Sequence, residues 1–287
     1  MIILMIAGKY RLLMITEKYL TYIFIFKNNK IRCLCKKKKF YRRYYREEHI
    51  ESAKLLEWPS LSHSGVPIHP LQFQRLLRNL GVDSDCHVIL YDRGEVIWST
   101  YAFWIFQLFG HAKISLLAGG LLEWKRLQSN STQYRIESGA GDFVSRIGNF
   151  RSQWNSNIIY TFDDVMNIVE LKNHDLIDAQ DKEHYSGIGK EAVYGHIRTA
   201  LNIPIDDVYD WHKRKWLDAN KLFEIFIKKG LSRSRRVVIY CATSLKASMI
   251  FYALQKCDYD CAIYFGSWSE WLIRAPDFLK VVPEKNV

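Results

Sequence analysis

Apolar and polar positions along this chain fall into two matching series. Residues 88–92 read VILYD and residues 237–241 read VVIYC, each a β-branched, nearly all-apolar run that stops at a polar or reactive residue. Runs of that kind suit strands buried on both faces of a parallel sheet. Beyond each run comes a Gly-containing turn with a Glu-Trp pair: Gly119-Gly120-Leu121-Leu122-Glu123-Trp124, then Gly266-Ser267-Trp268-Ser269-Glu270-Trp271. Upstream of each stands a His-Ile pair, His49-Ile50 and His196-Ile197. The spacings agree: 147 residues from His49 to His196, 149 from Asp92 to Cys241, and 147 from Trp124 to Trp271. A shared spacing of independent landmarks marks two copies of one α/β unit. The Ser/Gly/Asn-rich stretch from Gln128 to Asn157 is the natural junction.

In the second copy the pattern predicts strands over 175–179, 200–203, 236–240 and 261–264, with helices over 219–229 and 247–257. Strands alternating with helices predict a parallel sheet covered on both faces, hence an α/β fold in each copy. The first copy carries an aromatic helix around 98–109 (Trp98, Tyr101, Phe103, Trp104, Phe106), a stripe that reads as core packing. Its opening strand should fall at residues 28–35, where Lys30, Arg32, Cys33 and Cys35 fit a strand poorly. The expected layout is an apolar, poorly ordered leader (1–26), a first domain (27–128), a linker (129–157) and a second domain (158–287).

Length and composition change this picture little. A chain of 287 residues holds two domains of ordinary size, and 48% hydrophobic residues exclude a disordered chain. The net charge of +11 is local: residues 1–50 carry 13 Lys/Arg against 3 Glu, leaving only +1 for the rest. Lys36–Lys39 and Arg42–Arg46, even interleaved with Phe40, Tyr41, Tyr44 and Tyr45, read as solvated charge, so nucleic acid is not the expected partner. The longest uncharged runs in residues 1–26 are 8 residues, well short of the ~20 a membrane span needs. No membrane span or secretory signal is expected. Six irregularly spaced cysteines do not make a secreted disulfide framework, which fits the cytosol or a mitochondrial matrix. Cys33 and Cys35 lack the second half of a zinc site, and neither metal nor cofactor is expected.

Candidate chemistry concentrates at Cys241. It stands where the chain leaves a buried strand, and Ala242-Thr243-Ser244-Leu245-Lys246 leads straight into a helix. Open α/β sheets bind ligands at the carboxyl ends of their strands. A tight loop entering a helix aims successive backbone N–H groups at one point and favours an anion there. A thiol so placed should have a lowered pKa, helped by Lys246, and the same cradle suits a persulfide. The first copy has Asp92 at the matching strand end, which implies one live site and one retired one. A cysteine phosphatase needs Arg six residues after its nucleophile, and Ala247 stands there.

Two α/β repeats with a cysteine only in the second and the loop Cys241–Ala247 resemble the tandem rhodanese-type sulfurtransferases. So do Tyr194-Gly195-His196-Ile197 with Asn202-Ile203-Pro204, the Gly266–Trp271 segment, and Phe109-Gly110-His111 with Gly119-Gly120. The resemblance covers roughly residues 45–275 and implies transfer of a sulfane sulfur through a Cys241 persulfide to a thiol or cyanide acceptor. The partners implied are a small-molecule sulfur donor and a thioredoxin-like or low-molecular-weight thiol. Thiosulfate-preferring members carry basic residues after the cysteine, whereas Ala242 and Thr243 are uncharged. Mercaptopyruvate-preferring members use a small residue and a hydroxyl, which Thr243 supplies as a second catalytic residue. The implied donor is therefore 3-mercaptopyruvate, with thiosulfate second.

The same comparison marks departures. Ser244 replaces a glycine, and a positive φ there would strain it. His184 and Lys190 take the places of two substrate-gripping arginines, and Glu57 that of a carboxylate contributed by the first domain. Those substitutions keep a second expectation open, a catalytically weak or inactive rhodanese-fold binding or regulatory module.

Overall fold

The computed structural model describes residues 10–14, 38–63, 66–129, 133–141, 144, 146–187 and 194–282. The chain packs as two compact units. Residues 1–61, 71–102 and 113–151 make up the first, and residues 62–70, 103–112 and 152–287 the second.

The first unit is built on a four-stranded parallel sheet of β1 (Tyr10–Met14), β2 (Lys54–Leu55), β3 (His87–Tyr91) and β4 (Ile114–Leu116), in the spatial order β2-β1-β3-β4. Helices α1 (Lys38–Glu47), α2 (Pro70–Asn79), α3 (Ile97–Leu108) and α4 (Gly120–Gln128) occur along this half of the chain. The aromatic side chains of α3 are buried, as core packing requires. Trp58 meets Trp98 and Tyr101 edge-on at 5.2 and 4.3 Å between ring centroids.

The second unit repeats that order with one strand added. β5 (Ile159–Tyr160), β6 (Asp175–Asp178), β7 (Leu201–Asn202), β8 (Val237–Tyr240) and β9 (Cys261–Tyr264) run parallel in the order β7-β6-β8-β9-β5. β6, β8 and β9 are buried at every residue, which accounts for the apolar runs of β8 and β9 and for the Leu176-Ile177 centre of β6. Its helices are α5 (Phe162–Leu171), α6 (Lys182–Ser186), α7 (Ala219–Lys228), α8 (Leu245–Gln255) and α9 (Ser267–Arg274). α5 and β5 were absent from the sequence expectation. A reciprocal cap starts α5: Thr161 Oγ1 accepts from the Asp164 N–H, and Asp164 Oδ2 accepts from the Thr161 N–H at 2.8 Å.

Two expectations for the first copy need correction. Tyr10–Met14 lies inside the stretch read as a poorly ordered leader, yet it forms an inner strand of the sheet, pairing with β3 over five residues. It occupies the place expected of residues 28–35, and that segment, with Cys33 and Cys35, lies outside the described residues. The reason is an insertion. His49 follows Met14 by 35 residues but His196 follows Asp178 by only 18, so a fixed repeat spacing pointed too far along the chain.

The two units also share a buried hydrogen-bond pattern. The Ile50 N–H donates to the Tyr91 hydroxyl at 3.1 Å, and the Ile197 N–H donates to the Tyr240 hydroxyl at 2.9 Å. His49 stacks on Tyr45 and His196 on Tyr185, each with ring centroids 3.8 Å apart and each with Nδ1 2.7 Å from that tyrosine's carbonyl oxygen. Tyr45 and Tyr185 hydroxyls then donate to the carbonyls of Ala53 and Ala200. The His-Ile pairs are thus structural clamps that tie a loop to the central strand of each sheet.

Candidate active site

In the second sheet the connections change direction between β6 and β8. From β6 the chain moves out to β7 on one side, and from β8 to β9 on the other. A crevice opens at the carboxyl ends of strands at such a point. Asp178 ends β6 and pairs in register with Tyr240, which ends β8, so Cys241 leaves the sheet beside Asp178.

Residues 241–244 make the turn into α8, which starts at Leu245, two residues earlier than expected. Cys241 is only 2% exposed, and the backbone N–H groups of Thr243 and Ala247 reach its sulfur. Ala242 is exposed, Thr243, Leu245 and Lys246 are half-buried, and Ser244 is buried. Ser244 has φ +70°, the left-handed conformation that the sequence comparison flagged. Its hydroxyl donates to the Phe265 carbonyl at 2.6 Å and lies 3.3 Å from the Ser267 hydroxyl. The turn after β9 holds the loop from behind. The Trp268 N–H donates to the Cys241 carbonyl at 2.8 Å, and the Ser269 hydroxyl to the Ala242 carbonyl at 2.7 Å.

Electrostatics at the sulfur differ from the expectation of a lowered pKa. Burial pushes the Cys241 thiol up, and this outweighs the downward pull of the Ala247 and Thr243 N–H groups; the Asp178 carboxylate also raises it, and Lys246 lowers it. Asp178 is itself raised by burial, to about 6. Gln180 holds it with its backbone N–H at 2.8 Å and its side-chain amide at 3.0 Å, and the amide also donates to the Gly195 carbonyl.

Lys246 Nζ lies 2.5 Å from Asp181 Oδ2, and His184 Nδ1 lies 3.8 Å from the same oxygen. His184 also packs against Tyr194, ring centroids 4.5 Å apart. The structure thus brings His184 and Lys246 together at Asp181. Lys190 lies outside the described residues. Glu57 belongs to the first unit, where the Arg42 guanidinium donates to it at 2.9 Å. Asp181 and Gln180 went unnoticed in the sequence because they stand on a loop with no apolar periodicity. Tyr240 left a usable signal, its 149-residue spacing from Tyr91.

The twin loop in the first unit shows what such a turn accommodates. Asp92 is buried at the end of β3, and its carboxylate accepts from the N–H groups of Gly94, Val96 and Ser99 at 2.9–3.1 Å and from the Ser99 hydroxyl at 2.9 Å. The Leu121 N–H donates to the Asp92 carbonyl as Trp268 does to that of Cys241. Gly120 and Ser267 precede those donors with φ +58° and +55°. A side chain at Gly120 would meet the Asp92 carbonyl oxygen at 2.5 Å, which explains the second glycine of that pair. Val96, at φ +59°, takes the place of Ser244 just before the helix. Among the described residues no group of His, Cys, Asp and Glu is arranged to hold a metal ion, and no helix is long and apolar enough to cross a membrane.

A profile of the rhodanese-like domain matches the chain twice, over residues 37–127 and 161–274. A 3-mercaptopyruvate sulfurtransferase of Escherichia coli (strain K12) is 30% identical over 251 residues, spanning 84% of this chain and 85% of the relative. A thiosulfate sulfurtransferase of Mus musculus is 28% identical over 263 residues, spanning 85% and 84%. The crystal structure of the 3-mercaptopyruvate sulfotransferase SseA from Escherichia coli superposes with a TM-score of 0.71 at 25% identity, covering 90% of this chain and 93% of that one.

Proposed function

This chain belongs to the rhodanese-like family, and from that premise we propose that Cys241 takes the sulfane sulfur of 3-mercaptopyruvate, becomes a persulfide and passes the sulfur to a thiol or to cyanide. That the chain is a sulfurtransferase working through a cysteine persulfide follows from its relatives. The donor, the acceptor and the residue roles are our reading.

One observation carries it: the Cys241 sulfur sits in a turn of backbone N–H groups whose twin is filled by the Asp92 carboxylate. In the loading step the Cys241 thiolate attacks the donor sulfur and the sulfur–carbon bond breaks. Its electron pair leaves with the carbon as the enolate of pyruvate, which takes up the proton the donor thiol carried. A persulfide anion remains on Cys241 in the N–H cradle. In the unloading step an acceptor thiolate attacks the outer sulfur and restores the Cys241 thiolate. We assign Thr243 the role of offering a hydroxyl to the departing enolate. The choice of donor is supported by charge, because Ala242 and Thr243 are neutral and Lys246 is already paired with Asp181, a poor setting for a dianion such as thiosulfate. A low-molecular-weight or thioredoxin-like thiol is the acceptor we favour.

The test is the mass of the Cys241 peptide after incubation with either donor. It should gain one sulfur, faster from mercaptopyruvate, and lose it again to cyanide. Cys241→Ser should take up none. A Cys241→Ser protein that still transfers sulfur, or a wild-type protein that loads only from thiosulfate, would contradict the proposal.

A further inference from the structure

We infer that Asp181 is a specificity-determining residue, an internal anion that competes with the donor for Lys246 at the mouth of the cysteine loop. The inference rests on the sulfur-transfer reading of the same site.

Asp181 holds the position before α6 where an aspartate ordinarily accepts a hydrogen bond from the first turn, yet its side chain makes no such cap. It reaches instead to Lys246 Nζ at 2.5 Å, with His184 Nδ1 3.8 Å from the same oxygen. Lys246 stands in the first turn of α8, close enough to Cys241 to bear on its thiol. Both partners are half-buried and open to solvent, Asp181 with 44% and Lys246 with 36% of its side-chain surface exposed. An ion pair so exposed adds little to stability, so structural need does not explain it. It does set the charge that an incoming anion meets. A donor carboxylate that approaches Cys241 must displace Asp181 from Lys246 or share the cation with it. A weakly charged donor tolerates this better than a dianion, so Asp181 sharpens discrimination against thiosulfate.

The experiment measures the rate of Cys241 persulfide formation against donor concentration, for mercaptopyruvate and for thiosulfate. Asp181→Asn should lower the half-saturating concentration of both, by about two- to fivefold for mercaptopyruvate, the range an exposed ion pair supports. The drop should be larger for thiosulfate. Lys246→Met should raise both values, and in that background Asp181→Asn should have no further effect. A gain in apparent affinity does not arise from structural damage, so misfolding cannot imitate the expected result. If wild type loads sulfur but Asp181→Asn saturates at the same concentrations, or gains equally without Lys246, this inference fails alone. If wild type takes sulfur from neither donor, the sulfur-transfer reading fails and carries this one with it.

Discussion

Burial and the Asp178 carboxylate push the Cys241 thiol up, while two backbone N–H groups and Lys246 pull it down. Asp178 ionises at about pH 6, so it is charged across the range in which the thiol titrates. Replacing it with Asn removes that repulsion, and the pH midpoint for alkylation of Cys241 by iodoacetamide should move to lower pH. A midpoint that stays put would mean desolvation alone sets the value. Ser244 tests another balance. Its left-handed backbone costs about 1–2 kcal/mol in a residue with a side chain, whereas its hydroxyl recovers about 1 kcal/mol through the Phe265 carbonyl. Ser244→Gly relieves the first and loses the second, so its melting temperature should stay near that of wild type. Ser244→Ala keeps the strain and loses the bond, and should melt several degrees lower. The strain was legible in the sequence from one missing glycine. The hydroxyl's partner was not, because it comes from a turn 21 residues further on.

At the level of elements, the His-Ile clamps hold the loops against the central strands. Tyr240→Phe leaves the Ile197 N–H buried without its acceptor, which should cost about 1–3 kcal/mol. Tyr91→Phe should do the same to Ile50 in the first unit. Urea unfolding of both variants checks this, and a loss in one only would break the equivalence of the two clamps. Most elements of the second copy could be placed from the chain alone, since buried parallel strands announce themselves as apolar runs. β5 has only two residues and no such run. β1 was hidden differently: Arg11 interrupts its apolar pattern, and the longer connection to His49 broke the repeat spacing on which the search depended.

Across the whole molecule, the basic N-terminal stretch cannot be treated as an appendage, because Tyr10–Met14 is an inner strand of the first sheet. Deleting residues 1–37 would take away, among the described residues, the only strand paired with β2 and one of the two paired with β3. Limited proteolysis of that deletion should cut rapidly within residues 71–102 and 113–151 of the first unit, while residues 152–282 stay protected. Equal resistance to wild type would argue against the strand. The Asp92 turn has a wider consequence. In one copy the N–H groups of the turn hold a carboxylate, and in the other they reach the Cys241 sulfur, so a persulfide anion formed there would gain donors of the same kind. Sulfur on Cys241 then acts as a bound ligand does, and the charged protein should melt at a higher temperature than the same protein stripped with cyanide. Between encounters with an acceptor the molecule would serve as a depot, holding its cargo until it is drawn off.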